Sequence, residues 1–426
     1  MNNTTFNNAS TSTILHVDIN SYFATLQQQE NPHLRGRPIG VVKDEGRSCI
    51  IAASKEAKKF GIKTGADLPE ARLRCPDLLT IPAQFDRYLD ATRRLKKIFT
   101  QIAPAITIYS LDEAFIDISD CQQHLYPDSH RLGRQIQQLI KNDLGEWVTA
   151  SVGIGPNRFL AKMASEISPP ESVFEINHHN LDAVLAEVKF NDVCGIGYQL
   201  EKKLLKMGIT HPYLIRLYSN DDLLPIFGPF WTKELKKMAY GQEPHHLELL
   251  NEPLPHMKSV GRSITGYKLY DNEQEIKSIL YNLTEEVTHK VRQMKLAGRA
   301  VNVSLFGQNR GWGQAPQIWH QHLTLKYYLR HTQEMFQLIY DQLYRNWQRE
   351  FKVIKFGVRL GMLEPVAEIN PSLLPEAQQQ EKISAAKDYL TEKYGLFTLR
   401  SGVLLNQPLI RPEVTGFLGD KTYHQL

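Results

Sequence analysis

The stretch Tyr109 to Asp117, Tyr-Ser-Leu-Asp-Glu-Ala-Phe-Ile-Asp, constrains this chain more than any other. It sets two adjacent carboxylates, Asp112 and Glu113, between an apolar run ending at Ile108 and a second made by Phe115, Ile116 and Ile118. That is the pattern of a β-hairpin with charge at its turn. An Asp-Glu pair at a turn ordinarily means solvation and nothing more. Two features weigh against that here: the flanking runs are apolar enough for interior strands, and a second acidic strand end lies far upstream. It is His16-Val17-Asp18-Ile19-Asn20, closing a strand from Ile14 to Ile19. If the two strands are neighbours in one sheet, Asp18, Asp112 and Glu113 converge. Carboxylates that close raise one another's pKa unless a cation neutralises them. Mg²⁺, a hard ion that prefers a few carboxylates plus substrate phosphates, meets that need and serves two-metal phosphoryl transfer.

Asp18-Ile19-Asn20-Ser21-Tyr22-Phe23 and Ser151-Val152-Gly153-Ile154-Gly155-Pro156-Asn157-Arg158-Phe159-Leu160-Ala161-Lys162 complete a set of three motifs. In order and separation the set resembles the Y-family translesion DNA polymerases, the DinB/UmuC group, over roughly residues 13 to 363. The resemblance implies a DNA-directed DNA polymerase, a damage-bypassing and error-prone nucleotidyltransferase that uses two Mg²⁺ ions. It implies metal ligands at Asp18, the Ile19 carbonyl and Asp112, with Glu113 nearest the attacking 3′ oxygen. Asp18, Asp112 and Glu113 are then the catalytic residues.

Apolar periodicity predicts a strand at Ile14 to Ile19, a helix at Arg87 to Ile102, strands at Ile106 to Ser110 and Ala114 to Ile118, a helix at Arg131 to Leu144 and a strand at Val148 to Ile154. This is β-α-β-β-α-β order, a split βαβ sheet with its first and third strands side by side. An insertion after the first strand carries short strands at Ile39 to Val42 and Ile50 to Ala53, then a helix from Lys55 to Phe60 ended by Gly61. By resemblance the expected fold class is α+β and multidomain, a right-hand polymerase. Its parts would be a disordered tail at 1–12, a split βαβ (ferredoxin-like) palm at 13–21 and 83–170, and small fingers at 22–82. A helical thumb at 171–247, a linker at 248–257, a second split βαβ domain, the little finger, at 258–363 and a C-terminal tail with one helix at 364–426 complete it.

The resemblance places Phe23 beneath the sugar of an incoming nucleotide, where a 2′-hydroxyl would clash, with Tyr22 beside it. Outside the motif, Tyr22-Phe23 would read as core packing of the first helix. The DinB branch has Thr, Tyr and Arg where this chain has Ala52, Lys55 and Lys58, and a Lys where it has Pro169; Asn20 stands for a second Asp. Ala52 to Ser54, Lys58 and Asn20 look more like the UmuC branch. Triphosphate candidates are therefore Ser54, Lys55, Lys58 and Arg158. The two lysines lie one helical turn apart, although such pairs are usually only solvated.

Val193-Cys194-Gly195-Ile196-Gly197 opens a helix that carries Lys202, Lys203 and Lys206, and it resembles a helix-hairpin-helix. Such a turn offers backbone N–H groups to a DNA phosphate, through Gly195, Gly197 and Lys202. The formal charge of +4 is too small to imply nucleic acid by itself. Met257 to Leu363, however, holds 16 Lys and Arg against 8 Asp and Glu, so this segment carries the basic character. Its strands and helices repeat the β-α-β-β-α-β order: strands near Ser259 to Tyr267, Ala300 to Phe306, Ile318 to Lys326 and Val353 to Leu363, with helices Glu273 to Lys295 and Thr332 to Trp347. Resemblance makes it the domain that lies along DNA. Arg262, Lys268, Arg299, Lys326, Lys355 and Arg359 are candidates for the phosphate backbone, subject to strand register.

The expected partners are primer-template DNA and dNTP, with a monomeric enzyme in the cytoplasm at the nucleoid. The family admits two more, the sliding clamp and a UmuD-like accessory protein. Clamp-binding candidates, Ser372 to Pro375 and Gly416 to Leu418, are weak and read better as packing residues. Pro371 to Glu381 reads as a linker and Ser384 to Tyr394 as an amphipathic helix ended by Gly395. Four dispersed cysteines indicate neither a disulfide framework nor a zinc site, and no apolar run approaches a membrane span. A rival from another class is a non-catalytic DNA-binding scaffold with a polymerase fold, which the altered triphosphate contacts favour and the retained carboxylates oppose.

Overall fold

The computed structural model describes residues 12–43, 49–120, 125–251, 257–308, 317–370, 375–395 and 397–405. They divide into two compact units, one within Met1–Pro253 and the other within Leu254–Val414. Apart from Ser12, the expected tail at 1–12 lies outside the described residues. So do Pro253 and Pro255 of the expected linker and both clamp-binding candidates except Pro375.

The first unit runs β1 (Ile14–Ile19), α1 (Tyr22–Glu30), β2 (Ile39–Val42), β3 (Ile50–Ala53), α2 (Lys55–Lys58), α3 (Leu68–Arg74), β4 (Leu79–Pro82), α4 (Phe85–Thr100), β5 (Ala105–Ile108), β6 (Glu113–Asp117), α5 (Ser129–Leu144), β7 (Ala150–Gly155), α6 (Arg158–Ile167) and β8 (Val173–Glu175). The main sheet has the order β5-β6-β1-β7-β8, so β1 lies between β6 and β7 and antiparallel to both. This is the expected split βαβ topology. Alternation along β1 sorts its side chains. Leu15, Val17 and Ile19 enter a core with the stripes Tyr88, Leu95 and Ile98 of α4 and Leu132, Ile136 and Ile140 of α5. His16 and Asp18 share the opposite face with Ile14, on the side of Phe115 and α6.

Helix α6 lies tight on β7 for a reason visible in one residue. A Cβ at Gly153 would stand 2.0 Å from the Ala161 carbonyl oxygen, so a side chain there would force the helix off the sheet. Because His16 is paired with Gly153 across the sheet, this approach carries α6 over the polar face of β1.

Strands β3-β2-β4 form a separate small sheet, with β2 and β4 parallel. Sequence reading missed α3 and β4; Ala71 of α3, with Cys75 and Leu78 that follow it, clusters with Ile50 and Ala57, while Leu79 and Ile81 of β4 pack against the main core. The boundary expected at Tyr22 falls inside a shared core, since Tyr22, Phe23, Ile39 and Val41 pack with α4. The part expected to be an all-helical thumb begins instead with β8, a fifth strand parallel to β7. It continues as α7 (Leu181–Glu187), α8 (Tyr198–Lys206), α9 (Asn220–Ala239) and α10 (His245–Glu248). Gly228, at φ 74 and ψ 171, breaks α9 ahead of Pro229, as the Gly-Pro pair predicts.

The second unit runs β9 (Ser259–Tyr270), α11 (Glu273–Gln293), β10 (Leu296–Gly307), β11 (Ile318–Leu329), α12 (Thr332–Gln337, continued by π and 3₁₀ turns to Asn346), β12 (Val353–Gly361) and α13 (Pro375–Tyr394). The element order is the one expected, but the sheet order is β11-β10-β12-β9. Its last strand is therefore central and its first strand an edge, the reverse of the first unit. One face, with Val260, Ile264, Val301, Val303, Phe356 and Val358, is covered by the helices. The other carries Ser263, Thr265, Asn302, Ser304 and Arg359.

From Pro375 on, the segment read as a linker is helical, Gln378 to Gln380 included, and α13 docks mainly through charge. Asp388 takes hydrogen bonds from Arg292 and His289 on α11, and Glu381 takes two from Arg330. Gly395, at φ 92, ends the helix as expected.

Candidate active site

Register assembles the site. Asp18 at the end of β1 is paired with Glu113 on β6 and with Ser151 on β7, and the N–H of Ile19 donates to the Asp112 carbonyl at 3.1 Å. The hairpin linking β5 to β6 thus delivers Asp112 and Glu113 beside Asp18, as the sequence predicts. Glu113 is the first residue of β6 rather than part of the turn. Ser110 Oγ reaches both carboxylates, at 2.5 Å from Asp112 Oδ1 and 3.2 Å from Glu113 Oε1.

Charges from α6 and β1 complete the cluster. Glu113 Oε2 accepts from His16 Nε2 at 3.1 Å and is in close contact with Lys162 Nζ, which also lies 3.1 Å from Glu166 Oε1. His16 Nδ1 lies 2.7 Å from Ser165 Oγ. Carboxylate oxygens of Asp18, Glu113 and Glu166 all fall within 4.8 Å of one another.

Burial without enough compensating charge holds the Asp18 carboxyl well above the usual range, and Glu113 and Asp112 add to the rise. Burial likewise pushes Asp112 up to about 6 against the opposing hydrogen bond from Ser110. Glu113 goes the other way. Burial would raise it, but the hydrogen bond from His16 and the charge of Lys162 outweigh that and hold it at about 2. Oxygen donors only, with two carboxyls short of positive charge, are the donor set a hard divalent cation takes.

The nucleotide candidates divide. Ser21 stands in the left-handed region (φ 53, ψ 44) at the start of α1 and makes no side-chain cap, so the N-terminal end of α1 sits two residues after Ile19 without a capping oxygen. Phe23 is nearly buried, stacked on Tyr88 with centroids 4.3 Å apart. Tyr22 turns its hydroxyl inward, donating to the Tyr88 carbonyl at 2.7 Å inside the core. Ser54 likewise turns inward. Fully buried, its Oγ accepts from the N–H groups of Ile39 and Ala57 and caps α2. Arg158 turns instead to Glu243, which takes its guanidinium at 3.1 Å and its N–H at 2.8 Å. Lys55 is exposed with its Nζ 4.5 Å from the centre of the Trp147 ring, and Lys58 is exposed one turn on.

Among the DNA candidates, Gly195 has φ 93, and the turn it makes opens α8 at Gly197, where a Cβ would meet nothing within 4 Å. Lys202 is exposed beside Tyr198 on that helix. Arg262 is a correction. It lies on the helix-covered face, buried, and donates to Glu286 at 2.7 Å. Register turned it inward, because it is paired with core residue Val358 whereas Arg359 is paired with Gly261. Arg359 is exposed on the helix-free face, Lys355 shares that face, and Lys326 is exposed on β11. Lys268 is exposed but bonded to Glu275 at 2.7 Å. Arg299 is half-buried, 5.7 Å from the Tyr328 ring.

Sequence reasoning gave no role to His16, Lys162, Ser165 or Glu166. The available signal was Lys162 and Glu166 at i and i+4 on the helix after a Gly-x-Gly strand end, which places both on one helix face.

Comparison with known proteins agrees with this geometry. The model of the impB/mucB/samB family matches residues 17–166, and that of the family's C-terminal domain matches residues 257–373. A DNA polymerase IV of Moorella thermoacetica is 30% identical over 400 residues, covering 92% of this chain and 96% of that protein. One from Xanthomonas campestris pv. campestris is 31% identical over 301 residues, 70% of this chain and 80% of the relative. A solved Y-family DNA polymerase chimera superposes with a TM-score of 0.68 at 24% identity, over 84% of this chain and all of the other, and so shares the fold. The chain that brings Asp18, Asp112 and Glu113 together in this way belongs to the Y-family of DNA polymerases, among its DNA polymerase IV-like members.

Proposed function

We propose that this chain is a template-directed DNA polymerase of the translesion class, which transfers a nucleotidyl group from a dNTP to a primer 3′-hydroxyl. The observation that carries the reading is the pairing of Asp18 with Glu113 across β1 and β6, beside Asp112. Asp18, Asp112, Glu113 and the Ile19 carbonyl would hold two Mg²⁺ ions, which when bound supply Lewis-acid activation of the 3′-hydroxyl and neutralise the phosphates. His16 keeps Glu113 oriented by donating to it. The N-terminal end of α1 and the exposed Lys58 are the groups that would attract the triphosphate. The scaffold reading is not favoured, because all three carboxylates are retained and gathered in one cluster. Primer extension on an undamaged template with Mg²⁺ and four dNTPs tests the assignment, and tight primer-template binding with no extension would overturn it.

Phe23 is the proposed sugar discriminator. Phe23→Ala should raise incorporation of ribonucleotides relative to deoxyribonucleotides by roughly 10- to 200-fold, measured as the ratio of kcat/KM values. It should also cost about 3 kcal/mol of stability through the cavity left against Tyr88. Unchanged sugar selectivity would leave Phe23 only its packing role.

The helix-free face of β9, β10 and β12 is the proposed duplex surface of the second unit. Arg359→Ala should weaken DNA binding about equally for all sequences and lower the slope of log affinity against log salt by about 1, as loss of one phosphate contact requires. Fluorescence anisotropy across a salt series checks this.

A further inference from the structure

We propose that Lys162 is a resident counter-ion of the carboxylate cluster, which holds Glu113 while no divalent cation is bound and passes its contact to Glu166 when one enters. This rests on the reading of Asp18, Asp112 and Glu113 as cation ligands. Three observations carry it.

First, the ammonium of Lys162 is placed between two carboxylates of different character. Glu113 is 17% exposed and belongs to the catalytic cluster, whereas Glu166 is 44% exposed and sits one turn further along the same helix. The lysine side chain is itself only 8% exposed, and Tyr109 lies beneath the ammonium at 5.3 Å from its ring centre. It therefore has two anionic partners and little access to water. Second, Glu113 Oε2 is the atom that Lys162 contacts. A divalent cation drawn to Asp18 and Glu113 would compete with the ammonium for that oxygen, and two like charges so close repel strongly where water is scarce. Third, Glu113 does not depend on Lys162 for its orientation, because His16 Nε2 donates to the same oxygen and Ser165 backs His16 from α6. Lys162 can leave Glu113 without the carboxylate losing its direction.

Lys162 on this account is a positioning residue. It keeps three crowded carboxylates together in the metal-free protein, and it weakens cation binding until something else offsets the competition. An incoming triphosphate, itself highly anionic, does so. No proton moves and no bond is made or broken; an ion pair is exchanged.

The test is Mn²⁺ binding to the full-length protein without DNA or nucleotide, followed by electron paramagnetic resonance of the free ion. Lys162→Met should bind Mn²⁺ about tenfold more tightly than wild type, or better, since the competing charge is gone. Glu166→Gln, a change at an exposed position that should not disturb folding, should bind more weakly by about threefold, because the lysine has lost its second partner and stays on Glu113. The double variant should behave as Lys162→Met alone, the non-additivity that a shared mechanism demands. Equal or weaker binding by Lys162→Met overturns the proposal, as does unchanged binding by Glu166→Gln should the lysine variant fail to fold. Asp18→Asn separates the two levels. If it leaves Mn²⁺ binding unchanged, the reading of the cation ligands fails; if it removes binding while Lys162→Met has no effect, only the role of Lys162 fails.

Discussion

Asp112→Ala is expected to reduce nucleotide incorporation by at least about 10³-fold, the scale of several kcal/mol that metal-assisted charge stabilisation supplies, while primer-template affinity stays at the wild-type value. The two halves of that expectation have separate causes. Asp112 holds its carboxylate in the acidic cluster, where the ordinary state of a carboxyl is so disfavoured that burial pushes it up to about 6. The DNA contacts, by contrast, are proposed for side chains of the second unit and not for Asp112. Removing it also relieves repulsion with Glu113, so the metal-free variant should be at least as stable as wild type. Thermal unfolding beside single-nucleotide kinetics distinguishes lost chemistry from lost fold, and near-normal incorporation would remove Asp112 from the site.

Arg262→Ala is expected to show the opposite profile, a loss of about 3–5 kcal/mol in the stability of the second unit with no change in the salt slope of DNA binding. Arg262 and Glu286 are each 6% exposed, and Nε to Oε2 is 2.7 Å. Deleting the arginine leaves a carboxylate inside the sheet–helix interface without its main countercharge, and that penalty dominates. Arg262→Met with Glu286→Gln should recover much of the loss, since volume is kept and both charges leave together. Denaturant unfolding of the full chain, read on the transition of the second unit, measures it. Arg359→Ala supplies the contrast, because a single step of register separates a residue built into the core from one facing outward.

That pair shows where sequence reading stopped. Composition located the basic segment and periodicity located its strands, but facing depends on a parity that a strand's own pattern leaves open when arginine stands in place of an aliphatic residue at an inward position. The convergence of the carboxylates was legible because Asp18, Asp112 and Glu113 each lie at an end of a strand of strong apolar character, so topology alone brings them together. Ser54 and Tyr22 misled for another reason. Each has a hydroxyl beside positions that the resemblance brings to the nucleotide, and each spends it on the protein's own backbone. Lys162 was invisible as a partner of Glu113 because the contact is made through Gly153, whose missing side chain sets the height of α6 above the sheet. Gln378 to Gln380 read as linker since their helix is held by Asp388 and Glu381 reaching Arg292 on α11 and Arg330 just after β11, which no local signal reveals.

The strand order of the second unit also acts as a timetable for the ribosome. Among the described residues β9 has β12 as its one neighbour in the sheet, although β9 is made first and β12 last. A nascent chain that has reached β11 can zip β10 to β11 but must keep β9 unpaired, with both backbone edges open. The closing strand arrives only after helix α12 has emerged, so the cooperative step of this unit is necessarily late and long-range. A chain released before Val353 would present β9 as a sticky edge to its neighbours. In the first unit β1 waits as long, since both its partners, β6 and β7, are made after it, but it then gains one on each side and is left with no open edge.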